Sequence, residues 1–285
     1  MLGIWELASI TVKFALYLSI LTASGTVFIG LIFKLSDIRK FAAVFAIIGL
    51  FTTLLSFSLQ GAALTGSLSG MIDKDMLTLL WNIPASNAFK YRLIGLVLLI
   101  FGIVIGRHGL ILSTLGGVIA LWSFTRIGHV PEQKMLLLEV SLLAHLFAVA
   151  FWIGILMPLY RLSLNTETIQ QAADLGHNFG VIAVITVPTI ILIGVFMSYM
   201  LLGSFASLFG SAYGRTLLIK IILVAVLLAI SAANKLRFVP ALKRGDILAA
   251  VRLNNSIKLE WAIFVLILAS TATLTSIFSI PSGRY

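Results

Sequence analysis

Cysteine is absent from this chain, and acidic side chains are scarce, with 10 Asp and Glu set against 20 Lys and Arg in 285 residues. The missing thiols exclude disulfides, thiolate metal sites and a cysteine nucleophile. The motifs of enzymatic chemistry are missing too. No Walker-type glycine-rich loop gives ATP hydrolysis a seat, and no GxSxG, HExxH or paired carboxylates in one leaflet support hydrolysis. The chain therefore reads as a non-enzyme. Charged residues of either sign make up only 11% of it, whereas 60% of its residues are hydrophobic and its mean hydropathy is +1.11. No soluble domain hides that much apolar surface, so the bilayer serves as solvent.

The formal charge of +10 looks at first like a nucleic-acid footprint. The basic residues lie between apolar runs, however, where they set orientation and meet anionic lipid headgroups. The first apolar run lacks a basic leader and is already of spanning length, so it is read as a span rather than a cleavable signal. A window of about 19 residues gives eight spans near 7–33, 41–65, 89–106, 109–127, 138–160, 178–203, 214–238 and 257–280. Each must be a helix, because a lone segment in lipid has no other way to satisfy its backbone. The expected fold is an all-α integral membrane protein: one bundle of eight transmembrane helices over 1–285, with no repeat or soluble domain.

Basic residues favour an orientation with both termini outside. KLSDIRK and NKLRFVPALKRGD, the two richest loops, then fall together on the cytoplasmic side. Two connections are long enough to carry structure. The outside stretch 66–88 holds Met76, Leu77, Leu79, Leu80 and Trp81, an interfacial segment, and the cytoplasmic stretch 161–177 reads as a surface helix capped at Asn165 or Thr166.

Ionisable groups inside spans cost roughly 2.5–3.5 kcal/mol each, so each needs a partner or a role. Lys13, Arg92, Arg126, Glu139, His145 and Lys220 all fall in the outer half, and His129 sits in the outside turn between the fourth and fifth spans. Glu260, near the cytoplasmic end of the last span, is the exception. Neutral imidazole ligates copper and other transition metals, and thioether sulfur suits Cu(I). His129 and His145 are thus candidate ligands, with Met197, Met200 and Met135 available to complete a His/Met set. The bland alternative is a histidine that bonds a backbone carbonyl, Glu or Ser and holds helices together. Lys13, Lys220 and Arg92 are candidate counter-charges to Glu139, and Trp152 shares a helical face with His145 seven residues earlier. His108 and His177 lie on the cytoplasmic side, away from this cluster.

These residues in this order resemble the copper resistance D (CopD) family of bacterial inner-membrane proteins. Gly128-His129-Val130, then His145 followed by Trp152 and Gly154, is similar to that family's Gly-His turn and its His/Trp/Gly helix. The stretch 213–242, YGRTLLIKIILVAVLLAISAANKLRFVPAL, resembles its Tyr-Gly helix with an internal Lys, ending in Asn and a Pro loop, and 259–276 resembles its last span. The sequence departs from the pattern at 177–180, reading HNFG where the family often has Arg-Phe-Ser. The resemblance implies a multi-pass protein of the inner membrane that takes up copper from the periplasm and works with a small periplasmic copper-binding protein of the CopC type. Copper ligation by His129 and His145, with Glu139 and Lys220 setting the local charge, is the reading that follows. Two rivals stay open: a b-type haem membrane protein with axial histidines, and a metal-free assembly factor in which His145 and Glu139 lock helices.

Overall fold

The computed structural model describes residues 3–35, 38–84, 86–128, 130, 133–204 and 206–277. Its helices are α1 (Ile4–Ile32), α2 (Arg39–Thr65), α3 (Lys74–Asn82), α4 (Ser86–Ile105), α5 (Leu110–Trp122) and α6 (Leu136–Leu162). They continue with α7 (Ile169–Leu202), α8 (Ala206–Gly210), α9 (Ala212–Ala233), α10 (Val239–Lys243) and α11 (Ile247–Ile277). No strand occurs among the described residues. Eight helical stretches are long and apolar enough to cross a membrane, so the chain is a multi-pass, all-α membrane protein. Hereafter the end of the bundle where α1 begins is the terminal face, and the other is the opposite face.

α1 is the central helix. It packs on α2, α5, α6 and α11, and its residues from Ser19 to Gly30 are buried without a break. Lipid supplies no hydrophobic drive between spanning helices, so close approach of small residues does that work. Gly25 and Gly154 form the crossing of α1 on α6: a Cβ on Gly25 would meet the carbonyl oxygen of Ala150, and one on Gly154 would meet the backbone of Gly25. Hydroxyls add cross-links. Ser113 Oγ on α5 donates to the Leu99 carbonyl of α4 at 2.9 Å, and at the opposite face Ser163 and Asn254 tie the end of α6 to α11 at 2.5 Å.

α7 and α9 differ from the rest, leaving most of their spanning length uncovered by protein. α7 is also longer than expected. The stretch read as a separate surface helix begins as a 3-10 turn, Thr166–Thr168, and runs straight into the span. Asn165 makes no cap; Thr168 Oγ1 donates instead to the Leu162 carbonyl at 2.6 Å. α11 likewise starts ten residues before 257, at Ile247, where Asp246 Oδ1 accepts from the backbone N–H of Leu248 at 2.9 Å. The interfacial segment of 66–88 is α3, capped by Asp73 accepting from Asp75 and Met76 N–H.

After Ala233 the chain widens into a π turn, Asn234–Phe238, before α10. Pro240 supplies the cause: it has no N–H to give the Leu236 carbonyl, and its ring crowds that oxygen in a regular α-helix. The wider winding relieves the clash and rotates Asn234 inward, where it is buried.

Candidate functional site

Lys13, Arg92, Arg126 and Glu139 gather at the terminal face, as their depth in the sequence suggests. Lys13 Nζ donates to the Thr275 carbonyl at 2.7 Å, tying α1 to α11. Arg92, only 6% exposed, donates from Nε to Ser123 Oγ at 3.1 Å and lies over the Phe124 ring. Tyr17 stacks on the other partner in this group, with its ring 4.9 Å from that of Phe124. The counter-charge to Glu139 is Arg126, at 2.6 Å, and not Lys13, Lys220 or Arg92. Arg126 wins because the 3-10 turn Ser123–Arg126, which ends the fourth span, is carried to the same face as the first turn of α6. Its guanidinium also covers the Trp122 ring at 4.4 Å.

His145 lies nine residues past the start of α6, and Lys220 eight past the start of α9, so both sit about 12–14 Å below the terminal face at about 1.5 Å per residue. Lys220 stands near enough for its charge to act on the imidazole. Nδ1 of His145 is buried and has no hydrogen-bond partner among the described residues. A buried nitrogen in that condition loses its water without replacement, at about 1–3 kcal/mol. The helix-locking bond of the bland alternative is therefore missing from this nitrogen. His129 lies outside the described residues.

The methionines do not join His145. Phe151 and Phe179 stack at 5.3 Å and fix the antiparallel register of α6 and α7. From that pair His145 is six residues toward the terminal face and Met197 eighteen, a difference in depth of about 18 Å. Met200 is three residues further out still. Both methionines stand at the rim, near the level of Met135 at the start of α6. Among the described residues, no group of three or more His, Cys, Asp or Glu side chains is placed to hold a metal ion.

Trp152, read as a neighbour of His145, faces deeper into the bundle. Its Nε1 donates to Glu260 Oε2 at 3.1 Å, and Asn234 Nδ2 donates to Glu260 Oε1 at 2.6 Å. Three elements, α6, the π turn and α11, thus converge on one carboxyl that is 2% exposed. Phe264 closes the edge of the indole at 6.2 Å. This cluster floors a largely apolar cavity of about 390 Å³ walled by α6, α7, α9 and α11. Sequence reasoning had marked Glu260 as an exception to the outer clustering but gave it no role. The usable signal was its cost: an acid inside a span must find donors, and the Asn at the end of the ninth helix was the side chain that could reach it.

Two family profiles match in succession. One described as copper resistance protein D-like, N-terminal domain, covers residues 4–134, and one described as copper resistance protein D covers 173–274. The first includes Lys13, Arg92 and Arg126, the second Lys220, Asn234 and Glu260, while His145 and Trp152 fall between them. The copper resistance protein D of Pseudomonas syringae pv. tomato is 27% identical over 297 residues, covering 93% of this chain and 95% of that protein. The copper transport protein CutJ of Bacillus subtilis (strain 168) is 28% identical over 169 residues, 58% of this chain. This chain spans only 30% of the Bacillus relative's length. No solved structure matches.

Proposed function

The chain belongs to the copper resistance protein D family, and from that premise we propose that it binds copper on the terminal-face side of the bundle and passes it inward or to a partner. The reading makes the terminal face periplasmic and the membrane the bacterial inner membrane, with copper as the cargo of uptake. The observation that carries it is the partnerless Nδ1 of His145. An imidazole held inside a bundle with an unused nitrogen offers a soft cation a ligand that needs no bond broken first.

In this reading copper is met at the rim, where Met197 and Met200 stand, with His129 as a further ligand, and then moves about 18 Å inward to His145. Thr22 and Thr26, buried hydroxyls on one face of α1 without partners among the described residues, supply weak oxygen contacts further in. Lys13, Arg92 and Arg126 surround the approach, and Glu139 is already paired with Arg126. That surplus of positive charge repels a bare divalent ion and favours copper handed over by an anionic carrier. A small periplasmic copper-binding protein of the CopC type suits that task.

Elemental analysis of purified protein tests the proposal. Wild type retains copper, while His145→Ala and His129→Ala lose it and keep the wild-type melting temperature. Copper content unchanged in both variants overturns the assignment, and a Soret band in the wild type would move it to haem.

A further inference from the structure

The Glu260 cluster hangs on Trp152, about seven residues or roughly 10 Å deeper than His145, and its chemistry is different. An ionised carboxylate that is 2% exposed in a membrane needs a cation, yet Glu260 has no ion pair among the described residues. The groups that donate to it are neutral, the indole of Trp152 and the amide of Asn234, with the Ser231 hydroxyl beside them. Several charged groups on the surrounding elements are engaged elsewhere or face outward. On α11, Lys258 lies over the Tyr160 ring of α6 at 5.8 Å. Lys243 of α10 reaches Asp174 of α7 at 3.9 Å, and His177 of α7 is exposed. α1 carries no titratable side chain from Leu18 to Phe33. Lys235, on the π turn, lines the same cavity with its methylenes along Gly180.

A neutral, protonated carboxyl removes the charge but needs an acceptor for its O–H. Two are waiting. The Asn234 side-chain carbonyl oxygen is buried beside the carboxyl with no hydrogen-bond partner among the described residues, and the Ser231 hydroxyl, within reach of the carboxyl and engaged with no other described group, can donate to the anion or accept from the acid. The cluster therefore holds a complete set of donors for the anion and unused acceptors for the acid. Such a site is built to be occupied in both states. A carboxyl fixed in one state needs only one of these sets. The cavity gives access: it runs from Glu260 to Val184, which is 58% exposed, and to Lys235. Asn234 also stands on the π turn, a winding found frequently at functional sites.

We propose that Glu260 is a proton-binding site, loaded through the cavity between α7 and α9, whose protonation is coupled to movement of copper through the same bundle. The step is a bare proton transfer: hydronium at the cavity mouth gives its proton to the carboxylate, and the carboxyl O–H then donates to Ser231 or Asn234. No electron moves. The coupling rests on the copper reading above, whereas the proton site does not.

Infrared difference spectra of the full chain in proteoliposomes, recorded across a pH titration without metal, test the site itself. A carboxylic C=O band that rises on acidification in wild type and is lost in Glu260→Gln supports it. Trp152→Phe, which removes one donor and keeps the acid, shifts the band's midpoint. A wild-type spectrum without a titrating band, or a band that survives in Glu260→Gln, overturns the proposal. Copper influx into the same vesicles tests the coupling: wild-type influx follows an imposed pH gradient, and Glu260→Gln retains bound copper but loses that dependence. Gradient-dependent influx in Glu260→Gln overturns the coupling. A titrating band in wild type that neither binds nor admits copper overturns the copper reading and leaves the proton site standing.

Discussion

A single pair, Arg126 and Glu139, shows how far one residue's role can be read from a chain. The sequence places Glu139 among several cations at one depth, and any of Lys13, Arg92 or Lys220 satisfied that description. Depth alone does not choose among helices, because neighbours in a bundle are set by packing rather than by order. The 2.6 Å contact, with side chains 31% and 14% exposed, gives the pair to Arg126. Breaking it strands a partly buried charge, at about 1–3 kcal/mol between the surface and buried limits. Arg126→Ala and Glu139→Ala should each lower the thermal midpoint, and the double variant should lose less than the two losses added. Additive losses in that cycle would show that the pair is not coupled. His145 gives the opposite expectation. Its Nδ1 bonds nothing described, so His145→Ala should change stability by no more than about 1 kcal/mol while copper is lost. A large fall in stability at that position would return it to the helix-locking role.

The elements were more legible than their partners. Hydropathy found all eight spans, because lipid forces every crossing segment to be both apolar and helical. It placed α7 and α11 too short, since the polar turns that precede their apolar runs continue the same helix and carry no hydropathy signal. The π turn was equally hidden: Pro240 announced a break, but only the packed bundle shows that the chain widens instead and turns Asn234 onto Glu260. The α1–α6 crossing depends on a feature visible as letters and not as meaning, the glycines at 25 and 154. A Cβ at either position meets backbone, which cannot rotate away. Gly25→Ala and Gly154→Ala should each cost about 1–3 kcal/mol by overpacking, read as a lowered melting temperature in detergent. Gly194, which has open space around it, is the control, and its alanine variant should melt with the wild type. Equal melting of all three would remove the crossing from the account of stability.

At the scale of the molecule, the two polar clusters acquire directions only from orientation. His145 and the Glu260 cluster occupy different levels, with His145 about seven residues, roughly 10 Å, nearer the terminal face than Trp152. If the terminal face is periplasmic, copper arrives first at the cationic rim and the carboxyl lies on the cytoplasmic side of the histidine. Basic residues argue for that arrangement, since KLSDIRK and NKLRFVPALKRGD both border the opposite face. The chain's want of cysteine makes the test direct, because one introduced thiol is the only thiol. Ser69, exposed between α2 and α3 on the terminal face, and Asn165, exposed before α7 on the opposite face, are suitable positions. With a membrane-impermeant maleimide on intact spheroplasts, Ser69→Cys should label at once and Asn165→Cys only after the membrane is opened. The reverse pattern would put the rim methionines and His145 nearest the cytoplasm. Copper captured there would be leaving the cell interior, and uptake from the periplasm would have to be given up even if every ligand assignment held.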